Sequence, residues 1–276
     1  MDAAEAAGSE EEPRMPYDHI IFSSYGNDSV ALIQWAYERG LKNVAVAYSE
    51  TGWATYWWGD RVQKCEAWVR SLGFDPVRIP SIGMEALVIK ERGWPCNGMQ
   101  FCTEQLKIIP AQKWMAEVDP GKDSICLTGV RREESAYRAD APEWVEESDK
   151  HAGRPLWQPL VFHLEGARNE LVRRAGFDVL LHRSKECEPC INANKEDLAS
   201  MSEYDIIKTE RLEELAGFTK AGKPRVAFRP AKKMGATGIR AIVAWANSPR
   251  GKYDEDQGYI DLRPQSARCA SGWCGG

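Results

Sequence analysis

The sequence predicts an α/β fold built on a parallel sheet with helices on both faces. Three observations predict it. Short apolar runs alternate with helix-like stretches along the first half of the chain. Those runs end in small polar or charged loops at 23–29, 49–53 and 129–138, which would share the sheet edge where ligands bind in such folds. The 276 residues suffice for one large α/β domain or a domain with an appendage.

Each element can be justified in order. "DHIIFSS" (18–24) is a buried first strand, and "DSVALIQWAYERGL" (28–41) is its helix, with Val30, Leu32, Ile33 and Tyr37 on one face. "NVAVAYSETG" (43–52) is a second apolar strand, and "YWWGDRVQKCEAWVRSLG" (56–73) is a helix closed by Gly73. "DPVRIPS" (75–81) is a third strand, "PAQKWMAEV" (110–118) a helix, and "DSICLTGVRREES" (123–135) a strand entering a charged loop. The pattern changes from about residue 150. "WQPLVFHLEGARNELVRRAG" gives a helix, "RSKECEPCINANKEDLASM" a cysteine loop entering a helix, and "DIIKTERLEELAGF" a further helix. The resulting class is Rossmann-like, with a helical cysteine-bearing region and a flexible C-terminal tail. Residues 1–16 read as a disordered acidic tail, 17–200 as the main domain with its CxxC loop, and 201–276 as a helical and irregular extension.

Composition narrows the function classes. The net charge of −5 gives no global support for a nucleic-acid partner, which would need a local patch such as the Lys- and Arg-rich stretch 220–240. No apolar run is long enough to span a membrane. The N-terminus lacks an apolar secretory core, so a cytoplasmic, reducing compartment is expected. There, clustered cysteines bind metal or do redox chemistry.

Four motifs carry chemistry. In the first loop Ser23, Ser24, Tyr25, Gly26, Asn27, Asp28 and Ser29 stand at a helix N-terminus, where hydroxyls and backbone amides can wrap a di- or triphosphate. The competing reading is a plain turn capped by Asp28 or Ser29. "TGVRREESAYRAD" delivers Gly129, Arg131, Ser135 and Arg138 to the same edge, where arginine forks suit phosphate or sulfate. Cys187 and Cys190 form a CxxC that, with Cys102 and Cys96, suits a [4Fe–4S] cluster or zinc; a redox dithiol is the alternative. Cys65 and Cys126 fall in apolar patterns and read as core. The tail "RCASGWCGG" offers Cys269 and Cys274 as mobile thiols that can attack a substrate or carry sulfur; an incidental terminus is the plain reading.

These motifs resemble, in order, those of the phosphoadenosine phosphosulfate (PAPS) reductase family of the adenine-nucleotide α-hydrolase, or PP-loop, superfamily. "SSYGNDSVAL" resembles the SGGxDS pyrophosphate loop, and "SETG" (49–52) resembles DTG, with Glu50 in place of Asp beside Thr51 and Gly52. "GVRREESAYR" resembles G-x-R-x-x-E/Q-S-x-x-R. "CTEQLKIIP" and "KECEPCINA" resemble the cysteine stretches of iron–sulfur adenylylsulfate (APS) reductases, with Thr103 where a second adjacent cysteine would stand and Cys96 as its nearest replacement. The resemblance spans roughly residues 18–197.

The resemblance implies an adenine nucleotide, ATP or PAPS/APS, on the loop, with Lys107 facing the nucleotide or a cluster. It implies Cys269 or Cys274 as the reacting thiol, although the family's tail motif is missing, and a thiol reductant or sulfur-donor protein as partner. Two chemistries follow. One is sulfonucleotide reduction. The other is ATP-dependent, Mg²⁺-assisted adenylation of a substrate for thiolation, to which the Asp28-Ser29 ending tilts. Transfer RNA or DNA is then a possible acceptor. A non-catalytic nucleotide- or metal-binding module of a partner complex is the third reading. Tyr25, replacing a family glycine, should stiffen the loop and place an aromatic at its rim.

Overall fold

The computed structural model describes residues 17–96, 99–135, 138–228 and 237–248. The expectations for residues 1–16, for Cys269 and Cys274, and for residues 229–236 of the basic stretch lie outside the described residues.

Strand β1 (His19–Ser23) is central. On one side it pairs in parallel with β2 (Val44–Glu50), with Ile20 opposite Ala45 and Phe22 opposite Ala47, and β3 (Asp75–Pro80) follows, also parallel. On the other side it pairs with β4 (Ile125–Leu127), and β6 (Arg154–Trp157) continues the parallel run. β5 (Trp144–Ser148) closes that edge antiparallel to β6. The six-stranded order is β3-β2-β1-β4-β6-β5, so β1 and β4 diverge into crossovers on opposite sides of the sheet.

Alternation within β1 and β2 separates two cores. Ile21, Val44, Val46 and Leu127 face α1 (Asn27–Glu38), α2 (Trp58–Ser71) and α6 (Glu165–Arg174), meeting Leu32, Ile33, Val62, Val69 and Leu171. Ile20, Phe22, Ala45, Ala47 and Ile79 face the other way, onto Ala111 and Met115 of α5 (Ile109–Val118). Near-continuous apolar strands buried on both faces are what a parallel sheet demands. Cys65 and Cys126 lie in these cores, as expected.

Several elements depart from the sequence reading, β5 among them. α3 (Met84–Glu91) follows β3 and packs Leu87 and Val88 inward. The helix expected from residue 110 starts earlier, with a turn α4 (Phe101–Thr103) and a π-helical segment Glu104–Ile108 running into α5. Pro110 has no N–H for the turn behind it and its ring crowds the carbonyl of residue 106, which a wider turn relieves. The sheet also continues past residue 150 through β6, whose four residues include a proline and carry no readable period. Beyond it, α7 (Lys195–Ala199), α8 (Glu203–Ala216) and α9 (Ile239–Ala246) share a core of Leu198, Met201, Ile206, Ile242 and Val243. α8 also sends Leu212 and Ala216 against Trp53, Met84 and Leu106. Among the described residues no helix is long and apolar enough to cross a membrane.

One ion pair fastens β6 to the far side of the sheet. Arg154 donates from Nε to Asp119 Oδ2 at 2.6 Å, with both side chains at most 1% exposed, and Asp119 also accepts the N–H groups of Asp123 and Ser124. Burial alone would raise the Asp119 carboxyl, but these hydrogen bonds, led by that of Arg154, outweigh it and hold the group below its ordinary 3.8. A depressed folded value means stability that is present above pH 3.8 and lost as pH falls through the folded value. Asp119→Asn should therefore cost about 3–5 kcal/mol at neutral pH by leaving Arg154 unpaired. It should also flatten the acid limb of the stability–pH curve, as read by urea unfolding between neutral and acidic pH.

Candidate nucleotide and cysteine site

The β1–α1 loop turns on Tyr25 and Gly26 at the C-terminal edge of the sheet. Its hydroxyls gather its own amides. Ser24 N–H donates to Ser29 Oγ at 3.0 Å, Tyr25 N–H to Ser23 Oγ at 3.0 Å, and Gly26 N–H to Ser24 Oγ at 3.3 Å. No side chain caps α1, so the capped-turn reading does not describe this loop. Residues 23–29 are all buried.

Tyr25 departs from the expectation of an aromatic rim. Its ring is 0% exposed and stacks on Tyr48 at 5.5 Å, and its backbone takes the left-handed region at φ 57. The sequence showed an aromatic in a polar loop but not that the β2–α2 wedge beneath it had room for a second ring. Burial, then the nearby Glu66, pushes its phenol well above the ordinary range. Arg61 of α2 donates to the Tyr25 carbonyl at 2.7 Å, a contact the motifs did not signal. Asn27 faces away from the loop, exchanging hydrogen bonds with the Leu180 backbone at 2.8 and 2.9 Å.

Asp28 ties the loop to two other elements. Its Oδ1 accepts from Arg131 Nε at 2.6 Å and its Oδ2 from Arg168 Nη1 at 3.4 Å, all three side chains being buried. Arg131 comes from the β4 loop, as expected, whereas Arg168 comes from α6 and sits in a charged helical stretch with no motif to mark it. Gly129 makes the approach of the β4 loop possible: a Cβ there would stand 2.9 Å from the Asp28 carbonyl oxygen and 3.1 Å from its carbon. Glu134 accepts from the Arg131 N–H and from Arg138, and burial pushes its carboxyl above the ordinary 4.5. The arginine loop is thus internally paired, with Ser135 at the end of its short 3₁₀ turn (Arg132–Glu134).

The CxxC loop lies against both the β1–α1 loop and the β2–α2 loop. Ser184 meets Gly26 so closely that a Cβ on the glycine would be 3.1 Å from the serine Cβ. Thr51 Oγ1 donates to the Glu186 carbonyl at 2.9 Å, Glu188 N–H to the Trp53 carbonyl at 2.9 Å, and Thr55 N–H to the Lys185 carbonyl at 3.1 Å. Three pairs surround this seam: Lys107–Glu186, which is buried, Lys185–Glu188 at 2.9 Å, also buried, and Lys208–Asp205 at 3.0 Å, with the lysine half-buried. Burial lowers the Lys208 ammonium and raises the Glu188 carboxyl. Glu50, by contrast, is exposed and reaches Arg78 at 3.5 Å, and Gly52 turns the chain after it.

Cys102, Cys187 and Cys190 line one pocket, with Thr51, Met84, Leu106 and Lys107 on its walls. Cys96 does not line it; it bridges to Met99 in the preceding loop. Burial pushes the Cys187 thiol up to about 12, against the pull of Lys107. The six described cysteines form no disulfide. Among the described residues no three His, Cys, Asp or Glu side chains are grouped so as to hold a metal ion. The expected four-cysteine set is therefore assembled in part: three thiols share a pocket without forming a coordination shell, and the fourth stands apart.

Fold and site together define an α/β chain with an uncapped helix N-terminus in a serine loop beside a cysteine pocket. No protein-family model matches it. A relative from Escherichia phage 186, an uncharacterized 37.8 kDa protein in the gpa 5' region, is 29% identical over 121 residues, 39% of this chain and 34% of the relative. The chain thus matches about a third of that relative's length. Similar solved structures include the phosphoadenylyl-sulfate (PAPS) reductase of Candida auris in complex with phosphate, at TM-score 0.42 and 16% identity over 60% of this chain and 75% of that one. NMN synthetase from Francisella tularensis is similar at TM-score 0.44 and 14% identity over 84% of each chain.

The Gly129 contact yields a direct test. Because the atom it meets is backbone, Gly129→Ala must displace the first turn of α1. It should lower stability by about 1–3 kcal/mol, read by thermal unfolding, whereas Gly166→Ala, where a Cβ meets nothing within 4 Å, should not.

Proposed function

We propose that the chain is an enzyme of the PAPS reductase family within the PP-loop superfamily, which binds an adenine nucleotide on the β1–α1 loop and carries out cysteine-linked sulfur chemistry. The observation that carries this reading is the adjacency of two sites. A helix N-terminus without a side-chain cap, ringed by serine hydroxyls, touches through Ser184 the same loop that presents Cys187 and Cys190. Backbone N–H groups and a helix dipole favour a polyphosphate there. The neighbouring pocket supplies sulfur ligands or sulfur nucleophiles. Residues 23–29 are buried and Ser184 packs against Gly26, so in this reading the nucleotide enters by displacing the segment around 180–185, whose Leu181 is fully exposed.

In this reading Ser23, Ser24, Gly26 and Ser29 hold phosphate, and Arg131, Ser135 and Arg138 face its distal end. Thr51, Gly52 and Lys107 line the path towards the cysteines, and Cys102, Cys187 and Cys190 are three ligands of an iron–sulfur cluster or a zinc ion. Cys269 or Cys274 serves as the reacting thiol, supplied by a thiol reductant or a sulfur-donor protein. The retained Asp28-Ser29 pair tilts the reading toward the ATP-dependent branch with Mg²⁺, whose acceptor is a small molecule, tRNA or DNA.

Turnover separates the branches. Full-length protein purified without oxygen should release pyrophosphate from ATP if it adenylates a substrate, or sulfite from PAPS or APS if it is a reductase. Binding of neither nucleotide, by calorimetry, overturns the reading. A cluster would make the protein brown, with the colour lost in Cys187→Ser and Cys190→Ser. Colourless protein with stoichiometric zinc would assign the pocket to a structural metal instead.

A further inference from the structure

The nucleotide motifs name Arg131 but not Arg168, which nevertheless sits at the same spot. Its side chain is 8% exposed, Nη1 reaches Asp28 Oδ2, and Nη2 reaches Glu165 Oε1 at 3.2 Å. Its Nε is buried and has no hydrogen-bond partner among the described residues. A buried guanidinium N–H left unmatched is costly, and an oxygen from a ligand is the kind of group that meets it.

The neighbouring carboxylate is placed as a ligand would be. Glu133 Oε2 accepts from Arg131 Nη1 at 3.0 Å and from the Glu165 N–H, the first of α6, at 2.6 Å. Two helix N-termini, those of α1 and α6, converge here with two guanidinium groups. The acids differ in how firmly they are held. Asp28 is 6% exposed and pinned from two sides, whereas Glu133 is 45% exposed and can turn into solvent.

We propose that Arg168 is a second anion-binding side chain of the nucleotide site and that Glu133 is a displaceable carboxylate competing for the same donors. The ligand class is the distal phosphate or sulfate of the nucleotide, which takes Arg131 Nη1 and the Glu165 N–H as Glu133 swings out and brings an oxygen to Arg168. The proposal rests on the nucleotide reading above. It adds that the site discriminates by the charge beyond the first phosphate.

Calorimetric titration of the full-length chain with pyrophosphate, ATP, APS and AMP tests it, using Arg168→Met and Glu133→Gln. Arg168→Met should bind pyrophosphate and ATP about ten- to a hundredfold more weakly, with AMP nearly unchanged. Glu133→Gln should bind pyrophosphate about tenfold more tightly, by removing a charged competitor. APS losing affinity in parallel with ATP would extend the site to sulfate; APS unchanged would restrict it to phosphate and overturn the sulfate part. Wild-type pyrophosphate affinity in Arg168→Met, or no gain in Glu133→Gln, overturns the proposal while leaving the nucleotide reading standing. A wild-type chain that binds neither ATP nor pyrophosphate removes both. Should Arg168→Met fail to fold, as thermal unfolding would show, the exposed Glu133→Gln decides alone.

Discussion

One carboxylate, that of Asp28, joins the β1–α1 loop to the rest of the site. It sits in the first turn of α1, where the helix dipole favours a negative charge, and it is gripped by guanidinium groups from the β4 loop and from α6. Burying three charges costs several kcal/mol per ion, and only close hydrogen-bonded geometry recovers it. The geometry in turn depends on Gly129, because any side chain there would push the β4 loop off the α1 backbone and lengthen the Asp28–Arg131 contact. The position of Arg131, and through it of Glu133 and Glu134, follows from that approach. So does the docking of α6, which packs along α1 and delivers Arg168.

A second constraint fixes the cysteine side. The segment 185–188 runs beside 51–55 almost as an added strand, with Trp53 bridging Cys187 in parallel. Its backbone groups are satisfied there, so it can lie buried although it is a loop. The three lysine–acid pairs around it keep the charge balanced. The Cys187 thiol stays protonated in that setting, since burial penalises its thiolate more than Lys107 favours it. A bound metal would invert that balance, because a coordinating thiol gives up its proton to the ion. Without such an ion the Cys187 thiol is a poor nucleophile.

Much of this was legible in the sequence where one period dominates. β1, β2 and their helices repeat apolar residues cleanly, and the loops expected at the binding edge are found there. β6 was not legible because four residues with a proline carry no period, and the sheet could only be extended through pairing with distant β4. The same limit applies at the site. Arg131 was found because it travels in a motif, whereas Arg168 lies on a helix where arginines are ordinary, and only its burial beside Asp28 sets it apart. Glu186, Lys185 and Asp205 likewise look like surface charges until the fold pairs them. Cys96 shows the reverse case: spacing in the chain suggested proximity to Cys102, but Cys96 bridges to Met99 and does not line the pocket.

Tyr25 explains why the loop's surroundings, rather than the loop, should decide what it binds. A non-glycine residue in the left-handed region costs on the order of 1–3 kcal/mol. Burying a full aromatic ring, stacked on Tyr48, offsets a cost of that size. The ring then acts as an anchor, and Arg61 holds the carbonyl of the same residue. A glycine at this position would leave the backbone free in the unbound chain, to be ordered only when an anion arrived. With tyrosine the ordering has occurred on folding, so binding need not supply that entropy. A loop set in advance cannot reshape itself around different anions. If the loop binds a nucleotide as proposed, selection falls to the adjustable groups at its edge, where Glu133 is held loosely while Arg131 and Arg168 are held fast.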